Sequence, residues 1–143
     1  MNNDILLYFK TAQSMNHSLK IQYLTFSLYS PLSVQRFLQV TLKEHQKHLS
    51  TQLTISSELL SIGQFIPIFV SSHMVLCPLY ARRSTEQIYI NMTQVIGMHS
   101  FRKQTQIIFS NYLQITVNAP ITFCSKKWKE CVLLQQLLRQ RSI

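Results

Sequence analysis

Residues 102–120, RKQTQIIFSNYLQITVNAP, decide the fold of this chain. Side chains alternate in character on both sides of residues 110–112, which is the pattern of two strands that each bury one face. The segment between the two runs is short enough to be a β-hairpin turn. The positions predicted to face the core are Thr105, Ile107, Phe109, Leu113, Ile115 and Val117. The positions predicted on the opposite face are Gln104, Gln106, Gln114, Thr116 and Asn118.

The polar face of this predicted hairpin contains amides and a hydroxyl but no carboxylate, and Arg102 and Lys103 precede it. Such a face is typical of the solvated side of a half-buried sheet. With two cations at one end, it is also suited to an anionic partner.

The charge of the whole chain favours an anionic partner too. Fourteen Lys and Arg residues stand against five Asp and Glu residues, which gives a formal net charge of +9. DNA or RNA, an anionic membrane surface and an acidic protein all satisfy this excess, and nucleic acid is the first choice. The length of 143 residues predicts a single domain over 1–143.

The cysteines and histidines indicate neither a metal site nor a disulfide framework. Cys77, Cys124 and Cys131 are odd in number and have no C-x-x-C spacing, which predicts buried free thiols in the cytoplasm. His45 and His48 lack further ligands at helical spacing and are predicted to face the apolar side of a helix. Catalytic motifs are also missing, so we expect no cofactor and no enzyme activity.

One uncharged stretch, residues 59–81, is long enough to span a membrane. It contains two prolines, a glycine and several polar residues, which disfavour a transmembrane helix. The first residues, with Asp4 and a short apolar run, do not resemble a secretory signal. The sequence therefore predicts no membrane association.

The remaining patterns predict an α+β fold, mainly antiparallel β-sheet with an amphipathic helix near 31–49 and a C-terminal helix over 125–142. Ser30 followed by Pro31 is typical of a helix start, and Arg36, Lys43 and Lys47 share the polar side of that helix. Strands are predicted before residue 30 and from 65 onward, with Pro67 and Pro78 at strand ends.

Residues 66–84, residues 87–98 and the turn Phe109-Ser110-Asn111 follow one another in an order that is typical of a known family. They resemble the competence transcription factor (ComK) family, which switches on DNA-uptake genes. IPIFVSSHMVLCPLYARRS (66–84) is similar to the family's Pro-Ile stretch and its later aromatic-proline region. QIYINMTQVIGM (87–98) resembles its next strand, and Phe109, Ser110 and Asn111 match its hairpin turn. The resemblance covers about residues 31–135. Where the family has a glycine after the asparagine, this chain has Tyr112, which enters a left-handed conformation at higher cost.

The resemblance implies a sequence-specific transcriptional activator that binds A·T-rich promoter boxes of double-stranded DNA, largely through the minor groove. It also implies homo-oligomers on DNA and regulation by a proteolytic adaptor or related regulator. Arginine, lysine and amide side chains suit the narrow, acceptor-lined groove of A·T tracts. The predicted DNA-binding residues are Arg82, Arg83, Arg102, Lys103, Gln104, Gln106, Asn111, Gln114, Lys126 and Lys127.

Two other functions are left open by the sequence. The chain could be a protein-interaction module, a shortened family member that oligomerises with or titrates a regulator without binding DNA. It could also bind RNA or single strands, with bases stacked on Tyr89, Tyr112 or Trp128. Solvent exposure of these rings would separate the two alternatives.

Overall fold

A computed structural model describes residues 4–14 and 17–141 of the chain. Within them the fold is α+β with two antiparallel sheets, as the sequence predicts. The strands are β1 (Leu6–Ser14), β2 (His17–Tyr23), β3 (Ser27–Ser30), β4 (Ile68–Ser71), β5 (Met74–Pro78), β6 (Ile88–Asn91), β7 (Val95–Phe101), β8 (Gln104–Phe109) and β9 (Gln114–Val117). The α-helices are α1 (Val34–Glu44), α2 (Leu49–Leu60) and α3 (Ile121–Arg141), and a short 3-10 helix covers Met92–Gln94.

The larger sheet has six strands in the order β3-β2-β1-β6-β5-β4. β6 pairs with both β1 and β5, so it joins the first strands of the chain to the middle ones. Buried Asn91 reinforces this junction, because its amide donates to the carbonyl of Leu6 at 2.8 Å and its oxygen accepts from the backbone of Val75 at 3.2 Å. A fully hydrogen-bonded buried amide of this kind fixes the register of its neighbours.

Helices cover both faces of the larger sheet. On one face α1 buries Val34, Leu38 and Leu42 against apolar residues of β1, β2 and β4. The other face packs against α3 and the smaller sheet, β7-β8-β9, through one continuous core. In this core the rings of Tyr8 on β1 and Phe109 on β8 stack with centroids 5.8 Å apart.

The predicted helix near 31–49 is α1, which is shorter than predicted, and a second helix follows it. α1 begins at Val34 and not at Pro31, because the side chain of Ser33 caps it by accepting from the backbone N–H of Arg36. It ends at Glu44, since Gln46 adopts a positive φ of 59° that no α-helix continues. α2 then begins at Leu49. The sequence pattern did not indicate α2.

The prediction that His45 and His48 face the apolar side of a helix was wrong. His45 lies just after α1 and His48 just before α2, and both are exposed to solvent. Neither therefore faces the core. The described residues contain no group of three or more His, Cys, Asp or Glu side chains that could hold a metal ion.

The strand predictions around the prolines are confirmed. Pro67 immediately precedes β4 and Pro78 is the last residue of β5. Residues 59–81 thus form the end of α2, a loop and a hairpin. In the part of the chain that the structure describes, no helix is long and apolar enough to cross a membrane.

The C-terminal helix is confirmed and is longer than predicted at its start. α3 begins at Ile121, directly after Pro120, whose carbonyl accepts from the backbone of Phe123 and Cys124. Proline is favoured at helix starts because it has no N–H to satisfy. The predicted end at residue 142 lies outside the described residues.

Candidate nucleic-acid interface

The hairpin of residues 102–120 has the two faces that its alternation predicts. β8 and β9 pair with Gln106 opposite Thr116, and β7 adds His99 to the same row. Thr105, Ile107 and Phe109 point inward and are buried. We call the outward surface the amide face; its residues are His99, Phe101, Gln104, Gln106, Ile108, Gln114 and Thr116.

The amide face carries no negative charge, because residues 95–119 contain neither Asp nor Glu. Its glutamine amides and threonine hydroxyl can both donate and accept hydrogen bonds. Gln114 and Thr116 are exposed, while Gln104 and Gln106 are half-buried. The surface is therefore mainly polar, with Phe101 and Ile108 as its apolar members, and it is accessible at its β7 and β9 sides.

A basic turn closes the β7-β8 end of this sheet. Phe101 pairs with Gln104, so Arg102 and Lys103 form a two-residue loop, and both are exposed. Arg102 has a φ of 60°, and Lys103 has no positive φ. This is the pattern of a type II′ turn, whose first central residue is normally glycine. The guanidinium of Arg102 lies 5.5 Å from the Phe101 ring centroid.

The turn at the opposite end, between β8 and β9, also holds a non-glycine residue at positive φ. Tyr112 has a φ of 68° and a side chain that is 78% exposed. Its N–H donates to the carbonyl of Phe109 at 2.8 Å, which closes a three-residue loop. Such loops normally place glycine at this left-handed position. Strained backbone at exposed, chemically useful side chains is common at functional sites.

A second basic turn contains Arg82 and Arg83, which are exposed between β5 and β6. The side chain of Gln87 shapes this turn by donating to the carbonyls of Ala81 and Ser84 at 2.9 and 2.8 Å. A backbone bond from Ser84 to Ala81 closes it. Both arginines are therefore displayed on a defined loop.

Two residues that lie near the basic turns in sequence, Tyr80 and Thr105, hydrogen-bond to the short segment after β9. The hydroxyl of Tyr80, two residues before Arg82, accepts from the backbone of Asn118 at 3.0 Å. The hydroxyl of Thr105, two residues after Lys103, donates to the carbonyl of Ala119 at 2.8 Å. Tyr80 and Thr105, which lie close in sequence to the two basic turns, therefore contact neighbouring residues at the end of β9.

Lys127 was predicted to bind DNA, but it is only 4% exposed. Its ammonium group donates to the carbonyls of Gln64 and Phe65, at 3.3 and 2.7 Å, and to the Glu130 carboxylate at 2.8 Å. All three ammonium hydrogens are used, so Lys127 anchors the loop after α2 to α3 and cannot reach a phosphate. Lys126, its neighbour on α3, is exposed.

Asn111, another predicted contact, has a structural role in the β8-β9 turn. Its amide donates to the carbonyl of Leu24 at 2.8 Å, and its oxygen accepts from the backbone of Leu113 at 3.0 Å. The first bond joins the turn to the segment between β2 and β3, and the second lies within the turn. Asn111 is exposed, and these bonds fix the turn that carries Tyr112.

The proposed base-stacking residues differ in accessibility. Tyr89 is 7% exposed and stacks on Phe9 inside the core, so it is not a stacking platform. Trp128 is 37% exposed on α3. Of the three rings, Tyr112 is the accessible one beside the amide face.

Burial raises the pKa of several thiol and phenol groups around the core. The thiols of Cys124 and Cys131 are buried and uncharged, and loss of hydration raises the pKa of each. Cys77 is also buried, so the predicted free thiols are confirmed. Burial likewise raises the pKa of Tyr80, which keeps its hydroxyl neutral where it accepts from Asn118.

Comparison of this chain with family models, with curated proteins and with solved structures finds no match. Its function is therefore inferred from its own residues.

Proposed function

We propose that this chain binds double-stranded DNA through the amide face and the two basic turns beside it. The observation that carries the proposal is the exposed pair Arg102–Lys103 at the end of a sheet whose residues 95–119 contain no carboxylate. Arg82 and Arg83 add a second exposed basic turn, which follows Tyr80. Cations at the two turns would contact phosphates and release counterions. The amide side chains would contact base edges.

Preference for A·T-rich sequence is part of this proposal. The minor groove of A·T tracts is narrow, strongly negative and lined by acceptors, and proteins read it with arginine, lysine and amide donors. Arg102 at the tip of a two-residue hairpin is a slender, positively charged element of the kind that enters such a groove. Regulation of competence genes as the biological role is supported by the sequence resemblance.

Fluorescence anisotropy with labelled duplexes tests this function. The probes are two duplexes of equal length, one with A-tract boxes and one G·C-rich, each titrated at several salt concentrations. We expect tighter binding to the A·T duplex that persists at physiological salt. Equal, weak binding to both duplexes that vanishes with salt would contradict recognition of A·T-rich sequence. It would indicate that the chain binds DNA only through non-specific charge attraction.

Variants at the basic turns test the assignment of residues. Arg82→Ala with Arg83→Ala, and Arg102→Ala with Lys103→Ala, should each reduce the salt slope by up to about 2, because each phosphate contact contributes about 0.9. The matched control is Arg36→Ala with Lys43→Ala, which removes the same charge from exposed positions of α1. A control variant that loses as much affinity as the turn variants would refute the location of the site.

A second candidate function, protein interaction, is favoured by the edge strand β3. Four apolar side chains on or beside this strand are exposed, namely Phe26, Leu28, Tyr29 and Leu32. β3 pairs only with β2, so its outer backbone groups have no strand partner in the described residues. An exposed edge with apolar side chains is a template for strand addition by another chain. Light scattering over a concentration series would show whether the chain self-associates.

A further inference from the structure

A groove of about 450 Å³ lies on the strands β1, β2 and β3, outside the amide face. Its lining residues are Lys10, Ala12, Gln13, His17, Lys20 and Tyr29. It opens on the side of the larger sheet that carries Tyr8, since the Lys20 ammonium lies 5.9 Å above the Tyr8 ring. The helix α1 packs on the opposite side of that sheet.

Two lysines face each other inside this groove. Lys10 on β1 is directly paired with Lys20 on β2, and Lys20 is paired with Tyr29 on β3. Directly opposed like charges on neighbouring strands destabilise a sheet. None of the lining residues is acidic, so no side chain of the groove itself neutralises the pair. A bound anion would remove this repulsion and gain two charge-assisted contacts.

An aromatic wall stands beside the lysines. The Tyr29 side chain is 52% exposed, and its ring centroid lies 5.6 Å from the His17 ring. An exposed aromatic ring next to cations is the arrangement on which nucleobases stack in single-strand-binding proteins. Exposed Gln13 offers an amide for hydrogen bonds at the same groove. One concave surface thus contains cations that can bind a phosphate and an aromatic ring that can stack on a base.

We propose that this groove binds a nucleotide, with its phosphate between the Lys10 and Lys20 ammonium groups and its base against Tyr29. The nucleotide is either free or part of a single DNA strand, since both present a phosphate beside an accessible base. A base within a duplex is already stacked and paired. The site is therefore separate from the duplex surface and does not depend on the proposed function.

Isothermal titration calorimetry with three probes tests this inference. Adenosine monophosphate represents the free nucleotide, a tetranucleotide of deoxyadenosine represents the single strand, and adenosine lacks the phosphate. Lys10→Gln with Lys20→Gln should weaken binding of a phosphate-bearing probe by about a hundredfold, because each charged hydrogen bond is worth about tenfold. Tyr29→Leu should weaken binding about tenfold through lost stacking.

The matched control is Arg36→Gln with Lys43→Gln, which removes two exposed charges on α1, across the sheet from the groove. It should bind both phosphate-bearing probes as the unaltered chain does. Binding of adenosine monophosphate identifies a free nucleotide site, and binding of the tetranucleotide alone identifies a single-strand site. The proposal is overturned if neither probe binds, if adenosine binds equally well, or if the lysine variant binds like the unaltered chain. The single variants Lys10→Gln and Lys20→Gln give the same test should the double variant misfold.

Discussion

Replacing Arg102 with glycine should make the protein more stable and weaken its binding to DNA. Arg102 has a φ of 60° at the first central position of a two-residue turn. A non-glycine residue with such a backbone costs about 1–2 kcal/mol. Glycine removes that cost, although the greater freedom of the unfolded chain offsets about 0.5–1 kcal/mol of the gain. The expected net stabilisation is about 0.5–1 kcal/mol.

Thermal unfolding and anisotropy measure the two effects separately. For a chain of this size, the stabilisation corresponds to a rise in Tm of about 2–4 °C. Loss of one phosphate contact should lower the salt slope of duplex binding by about 0.9. Arg102→Ala is the matched control, because it removes the same charge but leaves a side chain at the strained position. It should lose the same affinity and gain no stability.

Tyr112→Gly completes the comparison. Tyr112 has a φ of 68°, so its replacement should raise the Tm by a similar amount while the salt slope stays unchanged. Two results for Arg102→Gly would refute these expectations: a lower Tm, or binding to the A·T duplex with the affinity and salt slope of the unaltered chain. The first result would show that the backbone of Arg102 is not strained. The second would show that the Arg102 side chain does not contact DNA.

Three further predictions concern stability. Lys127→Met should lower the free energy of unfolding, measured by urea denaturation, by about 3 kcal/mol. The reason is that the Glu130 carboxylate and two backbone carbonyls lose their buried partner. A loss below about 1 kcal/mol would contradict the anchoring role of Lys127. Asn91→Ala should also lower the free energy of unfolding by about 3 kcal/mol, because the backbone groups of Leu6 and Val75 lose buried hydrogen bonds. An unchanged urea midpoint would contradict the structural role of Asn91. Raising the pH from 7.5 to 9.5 should lower the urea midpoint. Burial raises the pKa of Cys131 in the folded state, so this thiol ionises more readily in the unfolded chain, where its pKa is about 8.5. Ionisation of the unfolded thiol then favours unfolding as the pH rises. A urea midpoint that rises with pH would contradict this linkage.

The elements that the sequence predicts correctly depend on local information. The hairpin of residues 102–120 was predictable because alternation and turn length are both properties of adjacent residues. The division between α1 and α2 was not, because Gln46 takes a positive φ without a glycine or proline to mark it. Helical periodicity continues through the break as far as residue 49, so the pattern indicates one helix over 31–49 and gives no sign of α2.

Features of the site that depend on distant contacts could not be predicted. Lys127 has the sequence context of a surface lysine, and only the approach of the Gln64 and Phe65 carbonyls shows that it is buried. The Lys10 and Lys20 pair depends on the register between β1 and β2. Alternation assigns residues to faces, but it does not say which residue lies opposite which.

The most direct test of the DNA-binding surface is an amide chemical-shift map of the chain titrated with the A·T duplex. We expect shifts concentrated in residues 81–84 and 99–118, with Arg102 and Gln114 among the largest, and little change in α1. Shifts confined to α1, or a spectrum that the duplex leaves unchanged at low salt, would contradict the claim that the amide face and its basic turns bind DNA.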